Sequence, residues 1–150
     1  MKSVFSSRIV RVAIFLAIPI AVYFINVEVQ SYLGRQAVHA TGFTSLSLDQ
    51  AFQKARAEDK LVIVEVAAIW CSTCRRLDKD VFSNEGVRKV VNEKYIFSRL
   101  EFESEAGTAF LEKYESYGFP NLWLLDSDGR VVKKLNVVFD PDAFLGQLPQ

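Results

Sequence analysis

Cysteine and histidine are scarce in this 150-residue chain, which has two cysteines and one histidine. Two cysteines are too few for a disulfide-stapled scaffold, and both lie in one Cys-x-x-Cys, so neither is left for a structural bridge. The single histidine, His39, lies far from that pair, which leaves a zinc site short of ligands. A c-type haem site needs a histidine directly after the second cysteine, where this chain has Arg75.

An excess of charge of either sign is also missing, because 18 basic residues balance 18 acidic ones. No basic surface therefore points to nucleic acid as a partner. Apolar residues make up 50% of the chain, so a sizeable core is possible. The length allows one domain and an appendage.

The appendage is an N-terminal stretch that lacks charge. Residues 12–27 contain no charged side chain, and three basic residues precede them: Lys2, Arg8 and Arg11. Extended to 9–29, the stretch approaches the ~20 residues that a helix needs to cross a bilayer. The positive flank predicts a cytoplasmic N-terminus, with everything after Val29 on the other side of the membrane.

Two alternatives to an uncleaved anchor are a cleaved signal peptide and a buried core helix. Val38-His39-Ala40 resembles a small-x-small cleavage site, although it lies more than ten residues past the apolar run. An anchor and a signal peptide would both export the domain that follows. We therefore interpret 1–29 as an anchor or signal segment and the mixed, polar residues 30–42 as a linker.

The remaining residues, 43–150, alternate between strand and helix patterns. The predicted elements are strand 43–46, helix 48–58, buried strand 61–67, helix 71–82, a helical restart at 83–91, strand 95–102, helix 105–114, strand 121–126, hairpin turn 127–129, strand 130–135 and helix 140–148. This order predicts an α/β sandwich in which helices cover a mixed central sheet with an antiparallel hairpin at its edge.

Both cysteines lie where the buried strand gives way to a helix, in Trp70-Cys71-Ser72-Thr73-Cys74. This context indicates a thiol–disulfide redox site. Only a thiolate attacks a disulfide, and a helix N-terminus favours the negative charge of a Cys71 thiolate. Arg75 and Arg76 can add positive potential. Cys74, in the first helical turn, is close enough to Cys71 to bridge to it and release a mixed disulfide.

Two carboxylates flank the cysteine pair in sequence. Glu65 interrupts the buried strand six residues before Cys71, and a buried charge is costly unless it is paired or protonated. A carboxyl with a raised pKa near Cys74 could accept and return the proton of the resolving thiol. The alternative is a glutamate at the end of the strand that points to solvent. Asp78, one helical turn past Cys74, is a candidate for a second acid or a solvated residue, and Arg99 on the next strand is a candidate partner for Glu65.

Pro120, in Gly118-Phe119-Pro120-Asn121, stands at the entry to a strand and is a candidate cis peptide. A trans loop proline is the alternative. Trp70 adjoins the cysteines and could shape the mouth of the site, whereas Trp123 is interpreted as a packing residue.

These motifs resemble the thioredoxin superfamily over about residues 43–148: an apolar strand, an acid six before the first cysteine, Trp-Cys-x-x-Cys, and Gly-x-Pro before the final hairpin. Within it, residues 70–78 and Val81-Phe82-Ser83-Asn84 are similar to the C-terminal periplasmic domain of thiol:disulfide interchange protein DsbD. The resemblance implies a thioredoxin-like fold and a reductant with Cys71 as nucleophile, Cys74 as resolver and Glu65 and Asp78 as tuning acids. It also implies a cis Pro120 that lines the substrate groove. Trp70 and Phe119 are further candidates for substrate contact from their places beside Cys71 and Pro120.

The chain departs from the family pattern at three positions near the site. Asn121 stands where threonine is usual, Phe119 is bulky where a smaller residue is common, and Glu65 replaces the more usual aspartate. The electron-transporting membrane domain of DsbD is also missing, so a reductant of this kind would need an upstream electron-donor protein.

The sequence supports three functional hypotheses. The first is a single-pass protein of the bacterial inner membrane, anchored through 9–29, whose periplasmic domain reduces protein disulfides with the Cys71–Cys74 pair and no cofactor or metal. The second has the same fold acting as oxidant or isomerase, since Ser72-Thr73 does not determine direction. The third is a non-catalytic interaction or assembly module.

Overall fold

Helix α1 (Lys2–Thr41) is a single continuous helix of 40 residues in the computed structural model, which describes residues 2–149. Its segment from Arg8 to Thr41 is long and apolar enough to cross a membrane, with a mean hydropathy of 2.2 in its most apolar window. None of that window is buried, so this most apolar part of α1 does not lie in the core of the protein. Pro19 lies inside the helix without ending it.

Residues 30–42, for which the sequence predicts a linker, are helical up to Thr41, because α1 continues through them. Four small residues at helical spacing are buried on one face of α1: Ser31, Gly34, Ala37 and Thr41. This face packs on the segment that follows the cysteines. The sequence resembles a linker because small residues occupy the buried positions, which hides the apolar periodicity of a packed helix.

Ten further elements follow α1. In chain order these are α2 (Leu48–Glu58), β1 (Leu61–Ala67), α3 (Ser72–Leu77), a π-helical segment (Asp78–Phe82), α4 (Glu85–Lys94), β2 (Tyr95–Glu101), α5 (Glu105–Lys113), β3 (Asn121–Leu125), β4 (Val131–Leu135) and α6 (Pro141–Leu145). The predicted capping box opens α2, with Ser47 and Gln50 bonding reciprocally.

The predicted strand 43–46 is wrong, and these residues form an irregular segment beside β2. The ring of Phe43 packs against those of Phe82 and Phe97. The backbone carbonyl of Leu46 accepts a hydrogen bond from the Ser98 hydroxyl at 3.0 Å. A side-chain hydrogen bond thus replaces the backbone ladder of a strand. The predicted helix 71–82 also differs, because its second half is the π-helical segment.

The sheet has the order β2-β1-β3-β4, with β1 parallel to β2 and the other pairs antiparallel. It is the predicted mixed sheet, with the β3–β4 hairpin at one edge. Strand β1 lies in the interior of the sheet, and helices cover it on both sides. Residues on alternate sides of β1 enter different cores: Ile63 faces α3, α4 and α6, while Val62, Val64 and Val66 face α2 and α5. The same period of two places Glu65 on the α3 side of the sheet.

Candidate active site

Cys71 is the N-cap of α3, at the point where the chain leaves the carboxyl end of β1. Its Sγ accepts a hydrogen bond from the backbone N–H of Cys74 at 3.0 Å. Because Cys71 caps the helix in this way, Ser72 is its first residue. The two cysteines form a disulfide with their Cα atoms 5.3 Å apart. Cys71 is 7% exposed and Cys74 is fully buried, so only the first sulfur is open to a partner.

The two arginines after the cysteines have partners other than a sulfur. Arg75 donates to the side-chain oxygen of Gln30 in α1. Arg76 forms an ion pair with Asp80 at 3.0 Å and lies over the ring of Phe139. Arg76 is neutralised by Asp80, whereas Arg75, whose partner Gln30 is uncharged, keeps its charge at the cavity that Cys71 also lines. A Cys71 thiolate is therefore favoured by the helix N-terminus and by Arg75.

Arg99 joins the two carboxylates that flank the cysteines. Its Nη1 donates to Glu65 Oε2 at 2.9 Å and to Asp78 Oδ1 at 2.8 Å. Parallel pairing of β1 with β2 places Arg99 directly beside Glu65, which confirms the predicted pairing. Glu65 and Asp78, at most 1% exposed, thus meet beside the helix that carries Cys74.

Burial raises the pKa of Glu65 to about 8; Arg99 opposes this effect and the charge of Asp78 adds to it. Burial also raises the pKa of Asp78 against the effect of Arg99. One guanidinium cannot neutralise two buried carboxylates, and Glu65 Oε1 and Asp78 Oδ2 have no hydrogen-bond partner among the described residues. The carboxyl pair therefore retains a proton near neutral pH.

The Phe119–Pro120 peptide bond is cis, the isomer for which the sequence makes Pro120 a candidate. Asn121 braces the preceding loop: its Nδ2 donates to the carbonyls of Tyr117 at 2.9 Å and Gly118 at 2.7 Å. Sequence reasoning noted Asn121 only as a departure from the family pattern. Its bracing role depends on where the loop carbonyls lie, and no sequence motif reports that.

Phe119 belongs to an aromatic cluster beside the cysteines. Its ring centroid lies 5.2 Å from that of Trp70 and 4.5 Å from that of Phe102. The indole N–H of Trp70 points to Glu103 Oε2 at 3.4 Å. Trp123 is a packing residue, 7% exposed, with the ammonium of Lys134 over its ring.

A cavity of about 510 Å³ opens at the disulfide. Residues that line it include Asn26, Gln30, Trp70, Cys71, Arg75 and Phe119. Asn26 and Gln30 belong to α1, and sequence reasoning missed them because it assigned that region to the anchor and linker. A second cavity of about 500 Å³ lies between α5 and the loop before Phe119 and is lined by no cysteine.

The fold and the disulfide at a helix N-terminus define a protein of the thioredoxin-fold disulfide oxidoreductase class. The family described as thioredoxin-like matches residues 43–127, which is more than half of the chain. The chain belongs to this thioredoxin-like family, as the resemblance of its motifs predicted. No group of three or more histidine, cysteine, aspartate and glutamate side chains able to hold a metal ion occurs among the described residues.

Known proteins with similar sequences include UBX domain-containing protein 5 of Saccharomyces cerevisiae, 29% identical over 70% of this chain and 22% of its own length. Thiol:disulfide interchange protein DsbD of Colwellia psychrerythraea is 28% identical over 61% of this chain and 16% of its own length. The chain thus spans less than a quarter of these relatives.

Among solved structures, the C-terminal domain of Neisseria meningitidis DsbD in the oxidised form superposes with a TM-score of 0.57. It is 22% identical, and the match covers 69% of this chain and 96% of that domain. At this identity, the likeness shows a shared fold.

Proposed function

We propose that this chain is a membrane-anchored thiol–disulfide oxidoreductase whose domain, residues 43–150, reduces protein disulfides in the bacterial periplasm. The observation that carries the proposal is the asymmetry of the disulfide: Cys71 Sγ opens on a cavity, whereas Cys74 is fully buried. Dithiol exchange needs one sulfur that a partner can reach and one that only the first sulfur can reach.

The reaction begins with the reduced pair. The Cys71 thiolate attacks one sulfur of the substrate disulfide, forms a mixed disulfide and expels one substrate thiolate. The Cys74 thiolate then attacks Cys71 Sγ, which forms the Cys71–Cys74 disulfide and expels the second substrate thiolate. Two electrons pass to the substrate, and an upstream donor protein must return two to the pair.

Glu65 and Asp78 are the proposed proton acceptors of the second step, because the pair holds one proton near neutral pH and its other carboxylate can take the proton of Cys74. Cys74 must lose its proton before it attacks, in a buried place that water does not reach. A carboxyl with a pKa of about 8 exchanges protons near the pH at which a thiol ionises. The Arg99 bridge fixes both carboxyl groups on the side of the sheet that carries Cys74. Trp70, Phe119 and Pro120 are the proposed contacts for substrate.

Two observations favour a reductant over an oxidant. Strong oxidants stabilise their reduced form by stabilising the thiolate. In this chain Arg76 is neutralised by Asp80, and two buried acids, Glu65 and Asp78, lie on the side of the sheet that carries α3. The similarity to DsbD agrees with this direction.

The membrane location is supported by α1. Its exposed apolar segment has basic residues on its N-terminal side, which favours a cytoplasmic N-terminus. The candidate cleavage site at 38–40 lies inside the docked part of the helix, which favours an uncleaved anchor.

The deciding experiment is the reduction potential of Cys71/Cys74 in the full-length protein in detergent, by glutathione and dithiothreitol equilibration. We expect a value near about −270 mV, as in thioredoxin. A value near about −120 mV would make the protein an oxidant. Failure to form the disulfide at any potential, or full function of Cys71→Ser, would leave the binding-module hypothesis.

A further inference from the structure

We propose that helix α1 forms one wall of the substrate site and restricts it to disulfides that integral membrane proteins present at the bilayer surface. This inference rests on the proposed function, because it names the substrate class of that same site. Three observations carry it: the docking of α1, the residues of α1 that line the cavity, and their position relative to the apolar segment.

The docking of α1 is close and leaves the domain no flexible tether. Gly34 lies against the backbone of Ile69, two residues before Cys71, where a Cβ atom would overlap the Ile69 carbonyl oxygen. Arg75, one turn into the cysteine helix, donates to Gln30. Since α1 is one helix from the apolar segment to Thr41, the domain moves with the anchor.

Asn26 and Gln30 are one helical turn apart, and both line the cavity into which Cys71 opens. Asn26 is the last polar residue inside the otherwise apolar, uncharged stretch 12–27. A polar side chain there is unfavourable in a membrane helix unless it has a polar neighbour or a role. At the cavity, Asn26 has a polar neighbour in Gln30. It also has a role, because its amide can donate to and accept from the backbone of a bound peptide.

The position of Asn26 sets the depth of the site. Residues 9–29 form about 30 Å of helix, the thickness of the hydrocarbon core. Asn26 therefore lies about 5 Å from the outer end of this span, and each headgroup layer adds about 5–8 Å. The cavity is at the membrane end of the docked segment, so a disulfide that reaches Cys71 must lie within or just outside the headgroups.

Aromatic side chains around the cavity agree with this depth. Trp70 and Phe119 both line it. Tryptophan and tyrosine are enriched at membrane–water interfaces, where the ring and its polar group meet different surroundings. A soluble protein whose disulfide is remote from the membrane would meet the headgroups before it met Cys71.

The first test measures depth without activity. The full-length protein with both cysteines changed to serine carries one spin label at Ser72→Cys or, as a control, at Ala57→Cys near the opposite end of β1. In phospholipid vesicles that contain nickel-chelating lipid headgroups, we expect strong relaxation of the label at 72 and several-fold weaker relaxation at 57. Equal relaxation at both positions would overturn the placement.

The second test measures substrate selection with reduced full-length protein in the same vesicles. Two synthetic single-span peptides carry an intramolecular disulfide, one directly outside the bilayer and one beyond a helical spacer of about 18 residues, or about 27 Å. We expect the first peptide to be reduced at least about tenfold faster. Equal rates, or faster reduction of the spaced peptide, would overturn the inference.

Three variants of α1 test whether this helix forms a wall of the substrate site. Gln30→Leu should slow reduction of the juxtamembrane peptide about fivefold to tenfold, the effect of a lost hydrogen bond, and Asn26→Leu should act similarly. Gln36→Leu, on the same helix but directed to Tyr32, should leave the rate unchanged. Equal effects of Gln30→Leu and Gln36→Leu would contradict the proposal that α1 forms a wall of the substrate site.

A failure of the proposed function would give a different pattern of results from a failure of this inference. If reduced protein acts on neither peptide nor on oxidised glutathione, the oxidoreductase assignment fails whatever the spin labels report. If oxidised glutathione is reduced but the two peptides do not differ, the oxidoreductase stands and the membrane-surface substrate does not.

Discussion

Gly34 of α1 contacts the carbonyl oxygen of Ile69 so closely that no side chain fits between the two backbones. Ile69 leads directly into Trp70 and Cys71, so this contact fixes α1 against the segment that carries the cysteines. Glycine is unfavourable inside a helix, and its presence here is explained by the approach of the two chains.

Gly34→Ala should therefore destabilise the docked helix. At an exposed helical position the same change stabilises by about 1 kcal/mol, whereas overpacking at this contact costs about 1–3 kcal/mol. Hydrogen exchange of residues 30–41 in detergent-solubilised protein measures the outcome, with Ala40→Gly on the exposed face as the matched control. Slower exchange in Gly34→Ala would show that the helix does not pack as described.

Arg99→Met should be strongly destabilising, because it leaves the remaining negative charge of the buried Glu65–Asp78 pair without a cation. Removing one partner from a buried ion pair costs about 3–5 kcal/mol. Arg130→Met, which removes an exposed arginine that pairs with Asp126 and Asp128, should cost at most about 1 kcal/mol. Denaturant unfolding of the oxidised protein measures both changes.

A rescue experiment separates charge from packing at the same place. If buried charge causes the loss, adding Glu65→Gln and Asp78→Asn to Arg99→Met should restore much of the stability, since no uncompensated carboxylate remains. Additive losses in the triple variant would instead assign the effect of Arg99 to its packing.

Glu65 should make stability fall as the pH rises. Folding raises the pKa of Glu65 from 4.5 to about 8. Between pH 4.5 and about pH 8, Glu65 therefore holds a proton in the folded chain but not in the unfolded chain. The contribution is complete below about pH 4.5 and is lost as the pH rises through about 8, with a slope of at most about 1.4 kcal/mol per pH unit.

Glu65→Gln removes this titration, so its unfolding free energy should vary less than that of the wild type between about pH 5 and 8. Denaturant unfolding of the oxidised proteins across this range measures the difference, with Glu105→Gln on the exposed start of α5 as control. Parallel pH profiles for wild type and Glu65→Gln would show that Glu65 is ionised throughout.

The two cysteines should give different products when either is replaced. Cys74→Ser retains the attacking sulfur but not the resolving one, so it should accumulate a mixed disulfide with an oxidised protein substrate. Cys71→Ser should form none, because Cys74 is fully buried. Non-reducing electrophoresis after alkylation measures the adduct. An adduct on Cys71→Ser as abundant as that on Cys74→Ser would reverse the assigned roles.

Much of this molecule follows from local sequence. The Val- and Ile-rich run 61–67 predicts a central strand, because both of its faces are buried. Ser47 and Gln50 define the start of α2 by a capping box that needs only four residues. The pair Cys71 and Cys74 are bridged because their separation along one helical turn already brings them together. In each case the partners are neighbours in the chain.

The tertiary structure decided what depends on distant partners. The sequence pattern of residues 30–41 resembles a linker. These residues are helical because their small side chains pack on a surface formed by residues more than thirty positions later. Residues 43–46 are not a strand because Phe43 is drawn into the core. Asn26 and Gln30 belong to the cavity only because α1 docks there. The sequence determined the sheet and the cysteine pair, and long-range packing decided how α1 meets them.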